Sequence, residues 1–234
     1  MMEVLVDSPM FGILISLIAF EIGLFIQKKT KLLFLNPLLI AIAIVMIFLM
    51  VTGIDLKHYQ VGGDIINMFL GPATVVLAVP LYQQVHSLKN YFVPIMIGIL
   101  VGIATGLIST LLCSILAQLE PEIIASLLPK SITTPIGIEL STQLGGIQAI
   151  TVLTILVTGI FGAVVSDLVF KVFKVQHPIA RGISLGTSAH AIGTTKALQL
   201  GSVEGAMSSL AIGVSGIATV FIAPLVWQMV STLL

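Results

Sequence analysis

The chain has 234 residues, of which 57% are hydrophobic and 9% charged, and its ten Lys/Arg balance its ten Asp/Glu. Soluble domains carry roughly 25% charged residues, so this composition excludes an ordinary soluble enzyme and a disordered regulator. With zero net charge and no basic stretch, the chain has no surface for nucleic acid. A mean hydropathy of +1.17 instead predicts an all-α polytopic membrane protein, whose helices cross a hydrocarbon core of about 30 Å.

The first apolar run, Met10–Ile26, is predicted to be a retained membrane helix. The residues before it include Glu3 and Asp7 and lack Lys and Arg, whereas a cleaved signal peptide begins with positive charge. Lys28 and Lys29 follow the run, and they place its C-terminal end inside the cell.

Further apolar runs follow, with no hydrophilic stretch long enough for a second domain. We therefore predict one membrane domain over residues 1–234. Uninterrupted spans are predicted at Leu35–Gly53, Tyr91–Ala117, Ile147–Phe170 and Gly205–Leu234. Two shorter segments, Ile65–Tyr82 and Gly182–Leu200, are interrupted by Gly or Pro, and Ser131–Gly146 mixes polar and apolar residues.

Short strings recur in the two halves of the chain and predict a duplication. Val-Thr-Gly-Ile begins at Val51 and at Val157, and Gly-Ile-Ala-Thr begins at Gly102 and at Gly216. The predicted repeats cover about residues 10–117 and 122–234. Lysines at the helix ends make Leu35–Gly53 run outward and Ile147–Phe170 run inward, which describes an inverted repeat.

This inverted repeat is consistent if Ile65–Tyr82 and Gly182–Leu200 both re-enter the membrane and Glu122–Gly146 crosses once as a broken helix. An alternative lets Ile65–Tyr82 span fully and moves Lys89 from the outside to the inside. Inverted repeats with interrupted helices are the architecture of secondary transporters.

Three stretches combine Gly or Pro with hydroxyls, at residues 71–82, 129–143 and 180–196. Irregular backbone is tolerated at membrane depth only where protein or water surrounds it, and free N–H groups with hydroxyls bind anions. Arg181 or Lys196 can add a charge-assisted bond to a carboxylate, although the alternatives are a positive-inside anchor and a snorkelling lysine. The predicted substrate-binding residues are Arg181, Thr187, Ser188, His190, Thr194, Thr74, Thr133 and Thr134.

Proton coupling is predicted for His190 and Glu139. Histidine titrates near pH 6.5, and carboxylates within spans are costly unless they have a function. On a continuous helix His190 shares one face with Thr187 and Thr194, and we expect that face to enclose a polar cavity with the Thr74 and Thr133–Pro135 segments. Asp167 is predicted to pair with Lys171. The sequence shows no hydrolase triad, metal cluster or nucleotide-binding motif, so we expect no enzyme activity, metal or cofactor.

Glycines at helical spacing predict close helix packing. Gly98, Gly102 and Gly106 form one stripe, and Gly213 with Gly216 forms another. The stripes serve either packing within the chain or an interface with a second copy or a partner.

Four blocks of the chain resemble the LrgB/CidB family of membrane proteins. They are Gly71–Tyr82, Leu128–Pro135, His177–Thr194 and Glu204–Leu210, and they cover the chain in the family's order. Many members have Ser-His-Gly where this chain has Ala189, His190 and Ala191, so the histidine is kept and a neighbouring hydroxyl is absent.

The resemblance implies a multi-pass protein of the bacterial inner membrane that acts with a smaller LrgA/CidA-type membrane protein. Similar pairs are described as holin/antiholin-like regulators of murein hydrolase activity. Others are linked to pyruvate uptake, and a fused plastid form carries glycolate and glycerate. We expect a transporter subunit for small monocarboxylates of the pyruvate or glycolate class. The alternative is a regulator of autolysis that transports nothing.

Overall fold

The computed structural model describes residues 8–30, 37–69, 72, 75, 76, 79, 82 and 85–231, and its regular elements are helices. Four of these helices are long and apolar enough to cross a membrane: Pro9–Thr30, Phe92–Leu116, Gln148–Val172 and Ser202–Ser231. The predicted all-α polytopic architecture is confirmed. The chain divides into two compact units, Met1–Val76 and Leu77–Leu234.

The first unit contains α1 (Pro9–Thr30), α2 (Pro37–Thr52) and α3 (Leu56–Met68), and α1 packs against both others. Gly12 and Gly62 bring the backbones of α1 and α3 into contact. Ser16 Oγ and Tyr59 OH join the same helices by a 2.8 Å hydrogen bond. Most of segment 70–84, including Thr74, lies outside the described residues, so whether Ile65–Tyr82 spans or re-enters stays a prediction.

The second unit contains α4 (Val85–Asn90), α5 (Phe92–Leu116), α6 (Pro121–Leu127), α7 (Thr134–Gln143), α8 (Gln148–Val172), α9 (Pro178–Leu200) and α10 (Ser202–Ser231). The long helices α5, α8 and α10 coincide closely with the predicted spans. Each is apolar nearly throughout, so length and hydropathy suffice to locate them.

Helix α9 is a hairpin rather than a straight rod. Its chain reverses at His190, whose backbone angles are φ 41° and ψ −131°. Gly193 packs directly on the carbonyl oxygen of Leu185, although on a straight helix the two residues would stand about 12 Å apart. Leu200 and Arg181, at the two ends, line one small cavity. The chain folds back here, as the prediction of a re-entrant segment requires, and we call this segment hairpin 178–200.

Residues 121–143 form a second hairpin. Thr151 Oγ1 lies 3.0 Å from the carbonyl oxygen of Ser126 and 2.6 Å from Ser141 Oγ, so the two arms lie side by side. The prediction that Glu122–Gly146 crosses the membrane once is therefore wrong. Helix α6 is only about 10 Å long, and Thr151 of α8 holds both arms through hydrogen bonds to Ser126 and Ser141.

The two hairpins enter from opposite ends of the unit. Gly98 faces Ile183 and Gly102 faces Thr187, so α5 runs parallel to the first arm of hairpin 178–200. Helix α8 runs antiparallel to that arm, because Gly159 meets His190 while Phe170, further along α8, lies under the Arg181 guanidinium. Because α5 and α8 are antiparallel, the hairpin that follows each of them starts from a different end.

The tips of the hairpins meet against one helix. Thr187, near the tip of hairpin 178–200, packs on Gly102 of α5. Ser131, in the tip of hairpin 121–143 (residues 128–133), lies 4.0 Å from the position that a Gly106 Cβ would take. Gly102 and Gly106 are one helical turn apart, about 6 Å along α5.

The N-terminus of α5 and the C-terminus of α8 lie at the same end of the second unit. The rings of Tyr91 and His177 meet edge to face, with centroids 6.0 Å apart. Lys171 and Lys174 predict that this end is the inside. Lys89 lies near the same end, so the packing favours the alternative that places it inside, and the side of the membrane itself stays a prediction.

A helix followed by a hairpin thus occurs twice in opposite directions, as α5 with hairpin 121–143 and α8 with hairpin 178–200. The first arms of the two hairpins begin at Pro121 and at Pro178. Gly102 precedes Pro121 by the same number of residues as Gly159 precedes Pro178. The longer repeats, 10–117 and 122–234, stay a prediction, as does the opposite direction of α2 and α8, because these compare residues of both units.

Candidate functional site

A cavity of about 1030 Å³ separates α5 from α8. The first arm of hairpin 178–200 forms its floor, and Lys130 with Ser131 of hairpin 121–143 closes one end. We call this cavity the groove. Its hydroxyl-bearing lining residues are Tyr91, Thr105, Ser109, Ser131, Thr158, Ser166, Ser184, Thr187 and Ser188.

Polar residues line the groove within helices that are otherwise apolar. Thr105, Ser109, Ser184 and Ser188 are exposed, and each donates its hydroxyl proton to a carbonyl of its own helix. Their oxygen lone pairs remain available to accept from water, protein or a ligand.

The hydroxyls of the floor present acceptors to the groove. Ser184 donates to the carbonyl of Ala180 at 2.7 Å, Thr187 to that of Ile183 at 2.6 Å, and Ser188 to that of Ser184 at 2.6 Å. Each hydroxyl proton is thereby used within its own helix, and the oxygen lone pairs remain available. A carboxylate in this groove needs its donors from another group.

Lys130 supplies donors of that kind. Its side chain is partly buried, and Nζ has a hydrogen-bond contact with Ser131 Oγ at 3.5 Å. Within the described part of the chain no carboxylate lies within ion-pair distance of it; the ion pair found there joins Lys196 to Asp167. The sequence analysis included Lys130 in the stretch 129–143 but assigned it no role. Its charge inside a Pro- and hydroxyl-containing stretch was the available signal.

Arg181 lies at the base of its hairpin, away from the tips. Its Nε donates to the carbonyl of Val175 at 2.8 Å, and its guanidinium carbon lies 5.6 Å from the centre of the Phe170 ring. It lines a separate cavity of about 280 Å³ with Lys171 and Lys174. The structure does not bring Arg181 together with Thr187 and Ser188.

The predicted shared face of Thr187, His190 and Thr194 does not exist, because the chain reverses at His190. Thr187 faces Gly102 of α5. His190 Nε2 lies 2.8 Å from the carbonyl oxygen of Ile155 in α8, so this nitrogen carries the proton. Thr194 Oγ1 lies 2.7 Å from Ser208 Oγ of α10. Each of the three residues ties the hairpin to a different helix.

The remaining predicted polar residues lie outside the groove's lining. Thr133 and Thr134 are half-buried at the start of α7. Glu139 is exposed and accepts a 3.1 Å bond from Gln143 Nε2. Asp167 binds Lys196 Nζ at 2.7 Å, which replaces the predicted pair with Lys171, because the returning arm brings Lys196 onto α8.

The two predicted glycine stripes differ in what they pack against. Gly98 and Gly102 pack on the first arm of hairpin 178–200, which confirms packing within the chain for the α5 stripe. Gly216 contacts Ile136, whereas a methyl group at Gly213 would meet nothing within 4 Å among the described residues.

Four membrane-length helices, together with two hairpins in the second unit, define an all-α multi-pass membrane protein. The chain belongs to the LrgB-like family, whose family model matches residues 16–229, and it is a protein of the bacterial cytoplasmic membrane.

Relatives cover the chain almost end to end. The antiholin-like protein LrgB of Bacillus subtilis (strain 168) is 40% identical over 224 residues, which are 95% of this chain and 97% of that protein. The antiholin-like protein LrgB of Bacillus mycoides (strain KBAB4) is 38% identical over 219 residues, 93% of this chain and 95% of that protein. No solved structure matches the chain.

Proposed function

We propose that this protein is the carrier subunit of a membrane transporter for small monocarboxylates of the pyruvate or glycolate class, and that it is not an enzyme. The observation that carries the proposal is the meeting of two opposed hairpin tips against α5, beside a groove lined with hydroxyls. Secondary transporters place their substrate at such paired interruptions near the membrane midplane.

Both hairpins support an anionic substrate. The second arm of each begins at its tip, at Thr134 and at residue 191, so both helix N-termini lie at membrane depth. Helix N-termini carry partial positive charge and favour anions. Among the residues predicted from sequence, Thr187 and Ser188 line the groove, and we assign them to substrate contact.

The other predicted residues take supporting roles in this proposal. Thr133 and Thr134 shape one tip, and His190 with Thr194 fixes the other to α8 and α10. Arg181 lies on the inner side, where it meets a carboxylate entering or leaving the groove. His190 and Glu139 are the proposed proton-coupling groups.

An LrgA/CidA-type membrane protein is the proposed partner. The support is the family resemblance together with the exposed hydroxyls of the groove, whose oxygens can accept hydrogen bonds from a partner. A homo-oligomer is the other assembly that would cover them.

A regulator of murein hydrolase activity that transports nothing is the second candidate. The printed names of the relatives, antiholin-like protein LrgB, favour it for those proteins. The opposed hairpins favour transport, because a regulator or a hole-forming protein needs only simple packed helices.

Reconstitution in liposomes separates the two candidates. We expect purified protein, with or without its partner, to accumulate labelled pyruvate or glycolate faster than empty liposomes, with glycerol as a neutral control solute. Uptake of neither acid in either reconstitution would leave the regulator as the remaining function. Equal entry of glycerol would indicate a nonspecific hole.

A further inference from the structure

We propose that Lys130 binds the substrate carboxylate and that this single cation restricts the groove to monocarboxylates. The inference rests on the transport function proposed above, and it deepens that proposal by naming the contact. It replaces Arg181 as the principal charge partner of the substrate.

The backbone around Lys130 is held firmly. Leu128 and Ile132 are 3% and 2% exposed, and Pro129 is buried as well. The Lys130 N–H donates to the carbonyl of Leu127 at 3.1 Å. The buried neighbours fix the Cα of Lys130 at the end of the groove, and only its side chain is left to extend along it.

The ammonium has donors to spare. A lysine carries three N–H donors and no acceptor, and Ser131 Oγ at 3.5 Å is a weak partner for one of them. An ammonium at membrane depth is expensive unless an anion pairs with it. No carboxylate of the described chain provides that pairing, whereas a bound carboxylate does.

The hydroxyls of the groove's floor leave the binding of a carboxylate to Lys130. The hydroxyls of Ser184, Thr187 and Ser188 donate to their own helix, so they accept hydrogen bonds from a ligand but do not donate to its carboxylate. Arg181 is similarly engaged, with Val175 and Phe170 at the hairpin base.

The proposed selectivity for monocarboxylates follows from the number of cationic side chains that line the groove. Lys130 is the one Lys or Arg among the described residues that line the groove, and the basic side chain of His177 lies beside Tyr91 at the start of α5. A dicarboxylate bound at Lys130 would leave its second carboxylate without a cation beside it, which is unfavourable where binding displaces water. The groove therefore accepts pyruvate, glycolate or acetate and excludes succinate.

The test compares Lys130→Gln, Lys130→Arg and the control Lys57→Gln, which removes an exposed lysine of the first unit. Equilibrium binding of labelled pyruvate is measured on purified protein in detergent, and uptake is measured in liposomes. We expect Lys130→Gln to weaken binding by about 10- to 100-fold, the range for losing a charge-assisted hydrogen bond. Lys130→Arg should recover most of it, Lys57→Gln should match wild type, and succinate should not compete.

The outcomes separate the two proposals. If wild type binds and transports pyruvate and Lys130→Gln does so equally well, the Lys130 assignment is overturned and transport stands. If wild type binds pyruvate through Lys130 without moving it, the contact stands and transport falls. If wild type binds none of the monocarboxylates, both are overturned. Competition by succinate would refute the selectivity.

A measurement on the unaltered protein guards against misfolded variants. Pyruvate should slow the modification of Lys130 by an amine-reactive reagent several-fold, read by mass spectrometry against Lys57. Equal modification with and without pyruvate, in protein that binds pyruvate, would place the carboxylate elsewhere.

Discussion

The two hairpins reverse the chain by different means. Hairpin 121–143 turns over residues 128–133, whose apolar members are buried, so the turn holds itself and Lys130 is left to face the groove. Hairpin 178–200 turns at one residue, His190, in a left-handed conformation that side chains rarely adopt. Its imidazole is used to fasten the turn to α8. In the broad turn the side chain of Lys130 is not needed to hold the backbone and can bind a ligand. In the sharp turn the side chain of His190 is needed to hold the turn in place.

Their bases differ as well. The arms of hairpin 121–143 are joined to α8 by neutral hydroxyls, through Thr151. Those of hairpin 178–200 are secured by charged groups, Arg181 on Val175 and Lys196 on Asp167. Lys196 and Asp167 are 20% and 45% exposed, so these charges remain near water while the hydroxyls are buried.

The largest expected effect comes from separating hairpin 178–200 from α10. A methyl group at Gly186 would overlap the backbone carbonyl of Ser208, which cannot move aside. Gly186→Ala should lower the free energy of unfolding by about 3 kcal/mol, measured by thermal denaturation in detergent. The matched control is Gly213→Ala, whose methyl group meets open space and should change stability by less than about 1 kcal/mol. Equal stability of both variants would contradict this packing.

Proton coupling can be tested at the sharp turn. The imidazolium fraction of His190 grows as the pH falls, so uptake driven by its proton should rise as the pH is lowered from about 8. His190→Gln keeps a donor for the Ile155 carbonyl and removes the titration, so it should flatten the profile. An unchanged profile would make Glu139 the next residue to substitute.

Two further substitutions at His190 separate strain from hydrogen bonding. His190→Ala loses the bond to Ile155 and keeps the unfavourable backbone, and it should cost about 2 kcal/mol of stability. His190→Gly loses the same bond but adopts a positive φ freely, and it should be more stable than the alanine variant by roughly 1 kcal/mol. If alanine is the better tolerated residue, the reversal is not strained.

The smallest effect is expected at the base of hairpin 178–200. Arg181→Lys loses the Nε bond to Val175 and the stacking on Phe170, which together amount to about 1 kcal/mol of stability. The dissociation constant for pyruvate should stay within about twofold of wild type, a change below about 0.5 kcal/mol. A tenfold increase would return the carboxylate contact to Arg181.

Long apolar helices were predictable, and the turns were not. Hydropathy located α5, α8 and α10 because burial in lipid depends on composition along the segment. The fold-back of residues 121–143 depends on hydrogen bonds between Ser126, Ser141 and Thr151, which are distant in sequence and give no periodic signal. Glycine and proline indicated that the backbone is irregular without indicating which way it turns.

Some residues of the candidate site could be predicted from the sequence, and others could not. Thr187 and Ser188 were identified from their Gly-rich hydroxyl stretch, and both line the groove. Arg181 was chosen for its charge, although the reversal at His190 separates its end of the arm from the tips. Lys130 was overlooked, because a lysine beside a predicted loop resembles a boundary residue until the loop is seen to be buried.

The hydrogen bonds from Thr151 to both arms of hairpin 121–143 also have a consequence for the order in which the protein folds during synthesis. Ser126 and Ser141 of hairpin 121–143 find their hydroxyl partner on α8, which leaves the ribosome after them. Until α8 is inserted, the hairpin has polar groups that lipid cannot satisfy. We therefore expect the hairpin to pack into the membrane only once α8 stands beside it.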